Sequence, residues 1–563
     1  MKLTMRACSA VLAALCVFVH SGVSHALLSD EKEGKWKLIG KARLEATFRT
    51  TETPENNPIP IEAGDLISQR NLLFLEWKHD LGDVLPRLNL GYYLEGRFYY
   101  DGAWDYGPDV LSDDATRRKY GFDNRGQIND LKWDADLFMG YLDVTSGPFF
   151  CRIGRQISSW GEMSTLRVLD GTNPTDNSTL AVDLLERLVP LFMVRSNVAF
   201  DNVGPFSSVS LQGYYIPGAL ENRNGEDIID GSPIYPPIGR YKEGDLFSTL
   251  TTLARQVPDD ITSDRYGAKL GVMWGGLNLN FAYYRRYSDT PVPLLDLASF
   301  NPVYVNVPRP YLVNLVKLLR EDPLGTLLGH QKFDVILKLQ PVDVFGGSFN
   351  YHWELIDTVV RGEIAYYRNV PKMTPGSIND VARGLAGKIH INGHSLGPLV
   401  TGIDLDPLLG ETALPFTTGE IATFDTWNWG LGLDKFMKIP HLSTQDFTLI
   451  AEYIGRKTLG YREKYILQPW QGPNGETLYE PEYSNTFVFI AQTNYLNGNL
   501  TPQLVVLYEV EPKALSLIPS IHYEWRQWAF DINYQFTNAA SYVGTLGMLK
   551  TRDQVQMSLT YNF

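Results

Sequence analysis

The chain has 563 residues, of which 44% are hydrophobic and 12% aromatic, a composition typical of a folded protein. Its 50 Lys and Arg residues against 64 Asp and Glu residues give a net charge of −14 at pH 7. Because nucleic-acid binding depends on basic side chains that neutralise phosphates, this balance argues against a nucleic-acid partner.

The first residues have the three parts of a secretory signal peptide. Lys2 and Arg6 form a basic start, residues 10–19 are apolar, and residues 24–26 present small side chains at the positions that a signal peptidase reads. The sequence therefore predicts two segments, a signal peptide over 1–26 and an exported domain over 27–563.

Cysteine usage and hydropathy narrow the class of the exported domain. Cys151 is its single cysteine, because Cys8 and Cys16 fall in the predicted signal peptide, so an internal disulfide and a Cys-based zinc site are excluded. No later run of about 18 apolar residues indicates a membrane-spanning helix. A soluble periplasmic protein and an outer-membrane β-barrel are the alternatives left.

Apolar and polar residues alternate in segments from about residue 36 to the end of the chain. In the last segment Val555, Met557, Leu559, Tyr561 and Phe563 share one face and polar residues occupy the other. A barrel strand in lipid needs about 9–11 residues of this pattern, with aromatic residues near both interfaces. A soluble β-sandwich also alternates, but the aromatic faces and the lack of a helical domain favour a transmembrane antiparallel β-barrel. The terminal Phe563 resembles the signal that the barrel assembly machinery reads.

The lengths of the connections predict about 18 strands, with 16 as the alternative. Short turns such as Gly275-Gly276 alternate with long connections, which suits short periplasmic turns and long extracellular loops. We expect Phe345–Tyr367 to be one long bent strand, because two strands there would put the next long connection on the periplasmic side. Residues 311–320 and 183–188 are predicted to be helical, either capping an outer loop or folded into the lumen. The predicted long connections are 101–130, 157–189, 217–263, 289–330, 371–423 and 457–484.

Charged side chains on the predicted inward faces are the candidate pore lining. Charges of both signs across a narrow lumen create a transverse field that orders water and selects solutes. Ion pairs that brace a filled barrel are an equal alternative. The candidates are Arg43, Glu45, Arg49, Glu95, Arg97, Arg152, Arg361, Glu363, Asp434, Glu452 and Glu524.

Residues 393–397 read Gly-His-Ser-Leu-Gly and match the nucleophile elbow of lipases, with Ser395 as the nucleophile. Pro398 follows directly and no βαβ series surrounds the motif, so a Gly-rich loop is the favoured interpretation. His390 and His394 are spaced for a metal ion only on a helix, which the intervening glycine disfavours. We therefore expect no catalytic residue, metal site or cofactor.

A series of short motifs extends over most of the exported domain. Together they resemble a proteobacterial family of outer-membrane proteins known as domain of unknown function 1302. The resemblance implies a barrel without an established activity, often encoded near resistance-nodulation-division efflux pumps and a periplasmic partner family, and the connection 371–423 departs from the family pattern. The motifs are Gly154-Arg155-Gln156, Trp160-Gly161-Glu162, Asp170, Asn173-Pro174, Asp176, Arg361-Gly362-Glu363, Gly432-Leu433-Asp434, Asn494–Gly498 and Pro502.

The first of these motifs open an outer loop and allow two interpretations. The group folds inward as a polar constriction, or it anchors the barrel rim through hydrogen bonds, which we favour slightly because inward folding has no sequence signature. The residues concerned are Arg155, Gln156, Trp160, Glu162, Asn173 and Asp176.

The sequence thus predicts an outer-membrane protein of a Gram-negative bacterium that passes or exports a small or hydrophobic solute through a polar, partly plugged lumen. One alternative is a non-conducting outer-membrane partner of an envelope export system, and a weaker one is a barrel-borne lipase or esterase that uses Ser395. The expected partners are outer-membrane lipid, the barrel assembly machinery and a periplasmic or inner-membrane export system.

Overall fold

The computed structural model describes most of the exported domain. The predicted signal peptide and the predicted helix at 311–320 lie outside the described residues, as does most of 183–188. No helix in the described part is both long and apolar enough to cross a membrane. The described residues are 28–29, 36–52, 61–119, 132–176, 187–221, 223, 254–258, 261–300, 302–305, 333–376, 378–395, 417–443, 445–468 and 477–563.

Within this described part, eighteen antiparallel strands form one closed sheet. Each strand pairs with the next along the chain, and the last pairs with the first, so that Arg43 lies opposite Thr560. The predicted class, a transmembrane β-barrel of about 18 strands, is confirmed. The strands are β1 (Trp36–Arg49), β2 (Leu66–Leu85), β3 (Leu88–Asp101), β4 (Trp133–Ser146), β5 (Phe149–Gln156), β6 (Leu191–Val203), β7 (Phe206–Ile216), β8 (Arg265–Trp274), β9 (Leu277–Tyr287), β10 (Pro341–Trp353), β11 (Thr358–Lys372), β12 (Ala422–Met437), β13 (Phe447–Thr458), β14 (Tyr483–Gln492), β15 (Leu500–Glu509), β16 (Ala514–Trp525), β17 (Trp528–Asn538) and β18 (Gln554–Asn562).

The alternating pattern sorts side chains between the two faces of the barrel, because successive residues of a strand point to opposite sides. On the outer face Phe487 and Phe489 of β14 are 49% and 42% exposed, whereas Glu452 of the paired β13 is 3% exposed and faces inward. An apolar outer belt with charges inside suits a barrel surrounded by lipid and excludes a soluble sandwich.

One strand assignment made from the sequence is wrong. Phe345–Tyr367 spans two strands, β10 and β11, joined by a turn over residues 354–357 in which Asp357 adopts a φ of 47°. This turn contains no Gly or Pro, so the sequence has no breaker there. The alternation of short and long connections is nevertheless kept, because the strand Phe333–Lys338 lies outside the barrel.

The long connections pack over the outer end of the barrel and contain all the remaining helices and strands except Leu28–Ser29, which pairs with β1, and Leu496–Gly498 at an inner turn. One apolar cluster joins the connections after β1, β3 and β17, with Trp104 and Leu111 at its centre. The helices are Ala103–Tyr106, Asp109–Ser112, Asp114–Lys119, Ile378–Lys388, Gly544–Gly547 and the 3₁₀ turn Leu496–Gly498. The two small sheets combine Ala254–Pro258, Val292–Leu295 and Phe333–Lys338, and Val303–Val305, Ile389–Ile391 and His394–Ser395.

The seam that closes the barrel depends on a glycine at an outward position of β1. The N–H of Gly40 donates to the carbonyl of Phe563 at 2.7 Å, and the N–H of Phe563 donates back to Gly40 at 2.8 Å. The Phe563 ring covers Gly40 so closely that an added Cβ would lie 2.1 Å from a ring carbon. The missing side chain therefore provides the space in which the terminal ring packs.

We predict that Gly40→Val lowers the melting temperature of the detergent-solubilised barrel. Overpacking of this kind costs about 1–3 kcal/mol, and the displaced Phe563 ring also loses its contact. Circular dichroism during heating measures the change. Gly96→Val is the matched control, because an added Cβ at this β3 glycine meets no atom within 4 Å. Equal melting temperatures for the two variants would contradict the packing role of Gly40.

Candidate functional site in the barrel lumen

The connection between β5 and β6 enters the barrel, and residues 158–173 are called the inward segment below. Its two ends are clamped together beside the strands. The Asn173 amide donates to the carbonyls of Gln156 at 3.1 Å and Val189 at 2.9 Å, and its oxygen accepts the N–H of Ser158 at 2.8 Å. Gln156 and Asn173 of the family motif therefore act as the predicted anchor.

Trp160 fixes the inward segment against the wall formed by β7 to β9. It is 1% exposed, and its ring centroid lies 5.0 Å from that of Tyr214 and 5.9 Å from that of Tyr284. The Tyr284 hydroxyl donates to the carbonyl of Leu169 at 2.9 Å. Gly267 of β8 makes room, because an added Cβ there would lie 3.0 Å from the Trp160 ring.

A carboxylate of β11 binds the backbone of the inward segment. Glu363 accepts N–H groups from Glu162, from Met163 at 2.8 Å and from Leu169 at 2.8 Å. A segment without helix or strand structure has unpaired backbone donors, and a buried donor must find an acceptor. One ionised side chain with two oxygens meets three of these needs with charge-assisted hydrogen bonds.

A second carboxylate, Glu452 of β13, repeats this arrangement and joins an ionic network. It accepts the N–H and hydroxyl of Ser164 at 2.8 and 2.7 Å and the N–H of Thr165 at 3.2 Å. The Arg361 guanidinium donates to Glu452 at 3.1 Å and to Asp434 at 2.6 Å. Arg361 also donates to the carbonyl of Glu162, so one cation ties the segment to three strands.

The Glu162 side chain is held by two asparagines that the sequence did not indicate. It accepts hydrogen bonds from Asn280 of β9 at 3.2 Å and from Asn350 of β10 at 2.8 Å. The usable sequence signal was glycine at inward positions. Gly430 faces Met163, with 3.0 Å between an added Cβ and its side chain, and three such glycines lie beneath the segment or its arginine.

The wall from β1 to β5 carries the other candidate lining residues as ion pairs and cation–aromatic contacts. Arg43 and Glu45 are 3.8 Å apart, and Arg97 donates to Glu95 at 2.6 Å. The guanidinium carbon of Arg97 lies 3.2 Å from the centroid of the Phe138 ring. This wall therefore presents paired charges and aromatic faces to the lumen.

The remaining candidates lie apart from the inward segment. Arg49 is fully buried at the outer end of β1, and Glu524 near the inner end of β16 bonds to His522 at 3.1 Å. Arg155 alternates with the inward Arg152 and so points outward, where it pairs with Asp136 at the rim.

Asp176 lies outside the inward segment, and its N–H donates to the carbonyl of Arg187 at 2.7 Å. The six motif residues therefore separate by role. Gln156 and Asn173 anchor the connection, Trp160 and Glu162 lie inside the barrel, and Arg155 and Asp176 lie at the rim.

The region around Ser395 has a different geometry from a nucleophile elbow up to the last described residue. Ser395 lies on a short strand after a turn at Asn392 and Gly393, and its hydroxyl is 3.3 Å from the Gly387 carbonyl. The residues that follow lie outside the described part. His390 pairs with Ser395 in this hairpin and is not on a helix, and no group of three metal-ligating side chains occurs in the described residues.

The closed sheet, the apolar outer belt and the charged interior define a large outer-membrane β-barrel of the porin type. The chain belongs to the family described as "Protein of unknown function (DUF1302)", whose model matches residues 7–563, and the resemblance seen in the motifs is confirmed. No curated protein matches the sequence.

Three solved structures illustrate the likeness to porins of Gram-negative bacteria. OccAB3 of Acinetobacter baumannii has 8% identity and a TM-score of 0.42, covering 94% of this chain and 99% of its own. OccK2 of Pseudomonas aeruginosa, in complex with glucuronate, has 8% identity and a TM-score of 0.40, covering 94% and 98%. OmpF of Salmonella typhi, in complex with daunomycin, has 10% identity and a TM-score of 0.36, covering 95% and 100%.

We predict that Glu363→Gln combined with Glu452→Gln raises single-channel conductance and current noise in planar bilayers. Each glutamine keeps one acceptor oxygen but turns an amide donor towards backbone N–H groups, which costs about 1–3 kcal/mol per unsatisfied group. The inward segment then detaches. Glu524→Gln is the control, since Glu524 faces inward but bonds to His522 and to no residue of the segment. A double variant that matches the parent would refute the docking role.

Proposed function

We propose that the protein is a channel that passes a small or hydrophobic solute through a lumen narrowed by the inward segment. The segment stays docked, and the solute moves between it and the opposite wall. One observation carries this proposal. In the described part of the chain, every hydrogen bond from residues 160–169 to a barrel strand goes to β9–β13.

The strands without such bonds, β1–β4 and β14–β18, make up half of the barrel circumference. Their inward side chains are mainly polar, such as Gln503, Asn533 and Gln556, so water can fill the space beside them. Ion pairs of both signs along β1 and β3 would set the local field, and the outer connections would set access. This mechanism is binding and filtration, without covalent chemistry.

The architecture also supports the proposed surroundings of the protein. The apolar outer belt fits the acyl chains of outer-membrane lipid, and the seam at Phe563 fits a chain inserted by the barrel assembly machinery. A periplasmic or inner-membrane export system is a further proposed partner, which rests on the resemblance to the family.

The first test is conductance of the purified barrel in planar bilayers. We expect discrete conductance steps from the unmodified protein. A barrel that remains silent in the bilayer but binds a periplasmic partner would reject the channel and support the alternative, a non-conducting component of an export system.

A disulfide between the inward segment and β12 tests whether passage requires the segment to move. Met163→Cys with Gly430→Cys joins positions where an added Cβ lies 3.0 Å from the Met163 side chain. We predict that oxidation leaves the conductance unchanged, because the solute path runs along the other wall. The cross-link is made with Cys151 replaced by serine, and the two single-cysteine variants are controls. Loss of current on oxidation, restored by a reductant, would show that the segment must undock.

A further inference from the structure

Three cationic side chains converge on the inner wall where β5, β6, β7 and β8 run side by side. Arg152 of β5 lies directly opposite Arg195 of β6, and Arg195 lies opposite Tyr214 of β7. Tyr214 in turn lies opposite Gly267, two residues before Lys269 on the same face of β8. All three cations are half-buried, so they can be reached from the lumen.

The carboxylates near these cations are already engaged. Arg152 binds both oxygens of Asp143, from Nε at 2.6 Å and from Nη2 at 2.8 Å. In the part of the chain that the structure describes, no carboxylate oxygen lies within 4.0 Å of the charged groups of Arg195 or Lys269. Two inward cations therefore lack an ion pair beside a cation that has one.

Lys269 faces two acids of the inward segment, Glu162 and Asp170, and both have other partners. Glu162 accepts from two asparagine side chains, and Asp170 accepts from the Ser159 hydroxyl at 3.0 Å and from the N–H of Trp160 at 3.2 Å. Their hydrogen bonds hold these carboxylates on the segment. The donors of Lys269 and Arg195 stay available to a mobile anion.

Aromatic rings surround the two cations. The Phe150 centroid lies 5.9 Å from the Arg195 guanidinium, and the Trp160 centroid lies 5.7 Å from the Lys269 ammonium. The Tyr141 ring lies 3.7 Å from the Arg152 guanidinium. These faces offer contact to a flat apolar body beside a carboxylate, because rings stack on one another and on guanidinium groups.

We propose that Arg195 and Lys269 bind the carboxylate of an aromatic organic acid, whose ring packs against Phe150 and Trp160. The guanidinium of Arg195 supplies a planar fork that matches a carboxylate, and Lys269 supplies a point charge from the other side. The inference rests on the proposed function, because the site borders the lumen through which the solute would pass. It names the solute class as aromatic carboxylates.

The test compares benzoate with its neutral isostere benzamide and with acetate, which has the charge but no ring. Isothermal titration calorimetry in detergent measures binding, and planar bilayers measure the effect on current. We expect benzoate to bind at least tenfold more tightly than either analogue and to reduce the current of the unmodified channel. Arg195→Gln with Lys269→Gln should weaken benzoate binding at least tenfold.

The matched control removes two positive charges from the outer face of the barrel, through Arg285→Gln with Lys457→Gln. Both residues alternate with inward positions, so their loss changes the net charge equally and leaves the site intact. Equal binding of benzoate and benzamide, or unchanged benzoate binding in the Arg195 and Lys269 double variant, would overturn the proposal. Benzoate binding to a barrel that shows no current would reject the channel but keep the site.

Discussion

The lumen of this barrel depends on one constraint, that a buried backbone donor must have an acceptor. The inward segment has neither helix nor strand structure around residues 162–169, so its N–H groups cannot pair within the segment. Glu363 and Glu452 supply the acceptors from two strands of the wall. Because these carboxylates point at backbone groups, they select a conformation of the segment more than its side chains.

Two buried carboxylates close together would repel each other, and Arg361 between them offsets this cost. Its hydrogen bonds to Asp434, Glu452 and the Glu162 carbonyl make one network that extends over β11, β12 and β13. Buried ions are expensive to remove from water, so removing one member leaves the others uncompensated. The two interpretations of the lumen charges, lining and bracing, therefore apply to different walls. Around Arg361 the charges brace the segment, and around β1–β5 they face open space.

The strand pattern could be predicted from the sequence because alternation is local and lipid enforces it at every strand. The total of 18 was right even though Phe345–Tyr367 was wrongly expected to be a single strand. The docking could not be predicted, because Glu162 and Glu363 are 201 positions apart and Ser164 and Glu452 are 288 apart. Nothing in a local pattern reveals which inward carboxylate meets which loop. Arg155 shows the same limit, since a rim residue next to a family motif faces outward.

Attachment of the inward segment to one wall has a consequence for charge. The strands beneath the segment use their acids on backbone N–H groups and on Arg361, so these acids cannot pair with cations at the border of the docked region. Arg195 and Lys269 lie at that border, where Trp160 turns one ring face towards Lys269. A mobile anion is the species that can balance such cations without competing for the hydrogen bonds that hold the segment. The interaction that narrows the lumen thus also leaves unpaired positive charge beside the remaining path.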